Sequence, residues 1–176
     1  MKLIETYHAD LLNGSGLREV LFFSGCEHHC PGCFSEWTQD PDCDQAHEFT
    51  EKDLEELITN LSQPFIAGIT LSGGDPLSKW NEEGILELVR KLRDRFGNSK
   101  TIWCYTGYTW EYLTSLPKQN IKRQILDYID VLCEGRFIES RKSPKKPWVG
   151  SDNQRVINVQ KSLASKKIIL EFGDKY

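Results

Sequence analysis

No apolar stretch of this 176-residue chain approaches the ~20 residues needed to cross a bilayer. Its opening, Met-Lys-Leu-Ile-Glu-Thr-Tyr, has no uninterrupted apolar run of the kind an export signal carries. Internal repeats and low-complexity tracts are missing too. So is a positive balance: the formal net charge is −4, which offers no global field to hold a nucleic-acid backbone. No obvious carboxylate pair or Ser/His/Asp arrangement announces acid–base or acyl-transfer chemistry. Six cysteines are too few for a dense disulfide framework. With 39% hydrophobic and 27% charged residues, the composition is that of a soluble globular protein with reduced thiols. A cytoplasmic setting is expected, with no membrane and no nucleic-acid partner. The length fits one domain.

What the chain does have is a dense cysteine motif. Cys26, Cys30 and Cys33 follow the apolar run Val20-Leu21-Phe22-Phe23 with C-x3-C-x2-C spacing. Three soft thiolates thus stand on one short loop at the end of a buried strand. An iron–sulfur cube normally takes four thiolates, one for each iron. Three leave one iron open to an outside molecule, and catalysis at a metal needs an open position. A structural zinc site is the competing reading, with Cys43 and one of His28, His29 or His47 as further ligands. Spacing alone leaves both open.

The pattern along the chain predicts alternating strands and helices. Lys2 to Tyr7 is a short candidate strand, and Arg18 to Phe23 a strand running into the cysteine loop. Residues 34–48 show no periodicity and read as a long loop. Thr50-Glu51-Lys52-Asp53 resembles a capping box for a helix that buries Leu54, Leu57, Ile58 and Leu61. A strand from Ala67 to Leu71 ends at Ser72-Gly73-Gly74-Asp75-Pro76. A helix from Glu82 to Phe96 is closed by Gly97. The strand Thr101 to Tyr105 ends at Thr106-Gly107-Tyr108, and helical material from Trp110 to Tyr128 is interrupted by Pro117. A fourth strand, Val131-Leu132-Cys133, is followed by Glu134-Gly135-Arg136. Repeated βαβ units imply a parallel sheet, and four such strands are too few for a closed eight-stranded barrel. The expected fold is an α/β open partial barrel, a single domain over 1–176. From about residue 136 a basic C-terminal extension is expected, in which Ile168-Ile169-Leu170 forms an edge strand.

Every unusual motif falls at the C-terminal end of a predicted strand, where parallel α/β folds bind ligands. Gly73-Gly74 lets a backbone approach a ligand closely, or makes a plain tight turn. The adjacent histidines receive no role. Trp37 and Trp103 are read as packing residues.

The three-cysteine motif and Ser72-Gly73-Gly74-Asp75-Pro76 together resemble the radical S-adenosylmethionine family. Asn13-Gly14-Ser15-Gly16-Leu17-Arg18 is similar to a signature of its glycyl-radical-enzyme activases. Cys30-Pro31-Gly32-Cys33-Phe34-Ser35, Thr106-Gly107-Tyr108, Glu134-Gly135-Arg136-Phe137 and Ser151-Asp152-Asn153-Gln154-Arg155 resemble the branch that serves anaerobic ribonucleoside-triphosphate reductase. The resemblance spans roughly residues 10–158. It implies a [4Fe–4S] cluster on Cys26, Cys30 and Cys33, with S-adenosyl-L-methionine chelating the open iron. Ser72, Gly73, Gly74 and Asp75 would hold the methionyl end, while Thr106 and Asp130 would face the cofactor. The implied reaction is reductive cleavage of S-adenosylmethionine, giving a deoxyadenosyl radical that abstracts hydrogen from a glycine of the partner reductase. A flavodoxin or ferredoxin would supply the electron. Another glycyl-radical enzyme, such as a lyase, is the alternative partner; a non-enzymatic zinc-binding module is the alternative class. Gly32 replaces the aromatic residue common before the third cysteine, and Asp75 is one methylene shorter than the usual glutamate.

Overall fold

The computed structural model describes residues 1–173. Its centre is a seven-stranded mixed sheet ordered β3-β1-β2-β4-β5-β6-β7. The strands are β1 (Lys2–Asp10), β2 (Arg18–Phe23), β3 (His47–Glu48), β4 (Gly68–Gly73), β5 (Thr101–Thr106), β6 (Val131–Glu134) and β7 (Arg155–Asn158). The helices are α1 (Glu51–Leu61), α2 (Glu82–Phe96), α3 (Trp110–Ser115), α4 (Ile121–Ile125) and α5 (Val159–Ser165).

Strands β2, β4, β5 and β6 are mutually parallel, so their C-terminal ends share one edge of the sheet. β1 and β7 flank them antiparallel. The four parallel strands stand where the apolar runs predicted them. α1 begins with a complete capping box: Thr50 accepts from the Asp53 amide, and Asp53 accepts from the Thr50 amide. Gly97 takes φ 54° at the end of α2, a conformation a side chain would resist.

One face of the sheet carries the main core. Leu21, Phe23, Ile69, Leu71, Ile102 and Leu132 pack there with α1 and α2 residues such as Leu57, Ile85 and Val89. On the other face Trp103, Val131 and Cys133 form a smaller cluster with Trp148, Val156 and Phe172. Trp103 packs as expected, edge-on to Trp148 at 5.4 Å. Also on the sheet, fully buried Arg18 spends its guanidinium on neutral oxygens. Its nitrogens donate to Thr70 Oγ1, Ser15 O, Thr101 Oγ1, Ile69 O and Thr101 O. Burial without a carboxylate partner pushes it down to about 10. The Asn13–Arg18 motif is therefore a clamp at the N-terminal ends of β2, β4 and β5, away from the cysteines.

Beyond residue 136 the chain departs from expectation. The edge strand is β7, and Leu170 contributes only a single bridge to it. The basic residues of this region are tied down: Arg141 Nε donates to Asp152 Oδ1 at 2.5 Å, and Lys146 Nζ to Asp152 O at 2.6 Å. Among the described residues, no helix is long and apolar enough to cross a membrane.

Candidate functional site

The loop after β2 holds Cys26, Cys30 and Cys33, each half-buried and free of disulfides. Gly25 and Cys26 are pinned through their amides to Thr38 O (2.8 Å) and Gln39 O (3.0 Å), just beyond a 3-10 turn at Glu36–Thr38. Backbone amides also serve the sulfurs: His28 lends one to Cys26, and Phe137 one to Cys30. Burial pushes Cys26 up to about 11 and Cys30 upward as well, so taking up a metal centre would release protons.

The glycine pair after β4 makes its close approach to the protein itself. Gly73 takes φ 100°, and a Cβ there would collide with the Phe23 carbonyl oxygen. One at Gly74 would stand 2.6 Å from the Gly25 carbonyl oxygen and 2.8 Å from that of Thr38. Two bare residues thus let the β4 end nest against the root of the cysteine loop, with Gly74 N donating to Phe23 O (2.8 Å) and Asp75 N to Gly25 O (2.9 Å).

Asp75 is completely buried. Its Oδ2 accepts from His28 Nε2 (2.8 Å), Thr106 Oγ1 (2.9 Å) and Gly107 N (3.0 Å). Its Oδ1 accepts from Leu77 N at 2.7 Å. One carboxylate therefore joins the cysteine loop, the β4 end and the β5 end. Thr106 Oγ1 in turn accepts from Tyr108 N at 3.2 Å. Ser72 lies half-buried in the last part of β4.

Of the residues singled out by the sequence, the three cysteines, Ser72, Gly73, Gly74, Asp75 and Thr106 all come to this edge. Asp130 does not. It stands before the first residue of β6, at the opposite end, where its Oδ2 accepts from Arg93 Nη2 (2.6 Å) and Ile102 N (2.7 Å). That carboxylate closes a helix–sheet junction. Trp37, read as packing, is 48% exposed, and Phe34, next to Cys33, is 98% exposed.

Sequence reasoning passed over His28, which is buried against Tyr108 with ring centroids 4.5 Å apart. It also passed over Glu27, whose carboxylate meets the Tyr108 hydroxyl; burial and that carboxylate push the phenol upward. Two histidines in a row carry no signal of which one turns inward. A cavity of about 370 Å³ adjoins, lined by Gly107, Glu134, Gly135, Arg136 and Asn153 among others.

A family model described as a 4Fe-4S single cluster domain matches residues 12–157. The anaerobic ribonucleoside-triphosphate reductase-activating protein of Enterobacteria phage T4 is 41% identical over 150 residues, covering 85% of this chain and 89% of the relative. The chain belongs to this family of activating proteins. The protein of the same name from Escherichia coli K12 is 39% identical over 158 residues, covering 89% of this chain and 97% of its own. That from Vibrio cholerae is 36% identical, covering 88% and 96%.

The donor set suits the cluster that the family model names. Among the described residues no three His, Cys, Asp or Glu side chains gather around a point where one metal ion would sit. In a cube each thiolate goes to its own iron, so the ligands need not meet at one point.

Proposed function

We propose that this protein is a radical S-adenosylmethionine activase that installs a glycyl radical on anaerobic ribonucleoside-triphosphate reductase. The observation that carries the reading is the joint between motifs. Three unpaired cysteines follow β2, and the same loop is bonded through His28 to Asp75 at the neighbouring strand end. The parallel order β2-β4-β5-β6 with helices between supports an open partial (β/α) barrel. Cys26, Cys30 and Cys33 would hold three irons of a [4Fe–4S] cluster, and the fourth would take S-adenosylmethionine. Bound there, the two cofactors supply one-electron, hydrogen-abstracting chemistry directed at the Cα of a partner glycine.

The protein's own task is geometry. Gly73 and Gly74 seat the β4 end against the cysteine loop beside the methionyl group. Ser72 flanks it. Asp75 and Thr106, their polar atoms already engaged with each other and with Gly107 and Tyr108, hold the walls in place. The exposed Phe34 and Trp37 leave the cluster side of the molecule open to a protein partner. A low-potential donor such as a flavodoxin or ferredoxin would deliver the electron.

The test is anaerobic reconstitution with iron and sulfide, then dithionite reduction and addition of S-adenosylmethionine. The reading expects a reduced [4Fe–4S] paramagnetic signal that changes on that addition, release of deoxyadenosine, and a glycyl-radical doublet once the reductase is present. Cys26→Ser, Cys30→Ser and Cys33→Ser each lose these, while Cys43→Ser keeps them. A colourless protein holding one zinc and forming no deoxyadenosine would overturn the proposal.

A further inference from the structure

Asp75 is a buried anion with no lysine or arginine of its own among the described residues; its one titratable partner is His28. The opposite nitrogen of that ring, Nδ1, accepts from Arg136 Nε at 3.3 Å. An arginine can only donate, so Nδ1 carries no proton and Nε2–H points to Asp75. The ring is therefore a neutral bridge between a carboxylate and a guanidinium. Its place is fixed on other sides as well: it stands edge-on to Tyr108, and Gly107 must lack a side chain because a Cβ would run into the imidazole. Arg136 lies after β6 and lines the 370 Å³ cavity. Its only side-chain bond among the described residues is the one to His28.

We infer that His28 is a positioning residue that makes the cysteine loop, the β4 end and Arg136 one unit, so that cluster and cavity keep a fixed relation. Placed between Cys26 and Cys30, it sets where their sulfurs stand. Through Nδ1 it sets where the arginine stands at the cavity wall. The inference rests on the cluster reading above.

His28→Phe keeps a ring against Tyr108 and removes both polar contacts; His28→Gln restores a donor and an acceptor. In reconstituted protein, His28→Phe is expected to weaken S-adenosylmethionine binding about tenfold, the usual scale for lost outer-sphere partners of a metal ligand. It should also blunt the paramagnetic shift on binding, at unchanged iron content and far-ultraviolet circular dichroism. His28→Gln should recover most of both, and His29→Gln, at the exposed neighbour, should change neither. Arg136→Met, at an exposed position that does not threaten folding, should reproduce the loss, and the double variant should be no worse than either single one. Wild-type affinity and spectrum in His28→Phe, failure of His28→Gln to recover, or additive losses would each overturn the inference. A wild-type chain that takes up no cluster would overturn the activase reading and this one together.

Discussion

At Asp75 a carboxylate without solvent contact accepts four hydrogen bonds, and three come from the cysteine loop and the β5 end. Removing it leaves those donors buried and unpaired, at ~1–3 kcal/mol each. Asp75→Ala is therefore expected to lower stability by at least about 3 kcal/mol, read as a fall in the urea midpoint with unchanged slope. The thiols on the sheet give a second expectation at this scale. Cys133, buried near Tyr105, is pushed up to about 12, and Cys104 is also raised well above its ordinary value of 9.0. Such groups bind more protons folded than unfolded. Their contribution is thus complete below about pH 9 and is lost as pH rises toward 12. Urea midpoints should fall between about pH 8 and about pH 10.5, and Cys133→Ala should flatten part of that fall. How legible a residue was depended on whether its type carries a signal. The cysteines were readable from spacing alone. His28 was not, because it and His29 are chemically the same and only the path of the loop sends one inward.

Among the elements, the glycine pair shows how a motif can be read in place and still be misunderstood. The strand end was foreseen; that its bareness serves the protein's own backbone was not. Gly74→Ala should push the β4 end off the cysteine loop, since carbonyl groups rather than flexible side chains occupy the space. A cost of about 2 kcal/mol or more and poor cluster retention are expected, measured by thermal unfolding and iron content. Thr50→Ala should cost only about 1 kcal/mol, the worth of one helix cap, and leave iron content alone. The parallel strands announced themselves as apolar β-branched runs. β7 did not, because only Ile157 of its four residues is buried. It is held by backbone pairing with β6 and by Arg155, which meets both Glu134 and Glu111. Asp130 was misplaced by the same logic: a strand start lies at the far edge from a strand end.

In the whole molecule, the order of βαβ units was enough to foresee that four loops share one edge. Which distant segments seal that edge was not written in any local pattern. The chain after β6 returns to the cysteine loop, placing Arg136 on His28, the Phe137 amide on Cys30, and the Glu139 carboxylate over Gly32. Gly32 itself takes φ 68°, and a Cβ there would come within 2.9 Å of Glu139. Gly32→Tyr should therefore displace residues 139–154 from the loop. The expected result is faster tryptic cleavage at Lys142 and Lys145, with reduced iron retention in the same protein.

The rims of the sheet have their own consequence. A row of unpaired backbone groups at a sheet edge invites a neighbouring chain to add itself as another strand. Here the outermost strands are two and four residues long, and the longer of them, β7, is met by Leu170. Little template is left for strand-by-strand self-association, even though the strands between are among the most apolar parts of the chain.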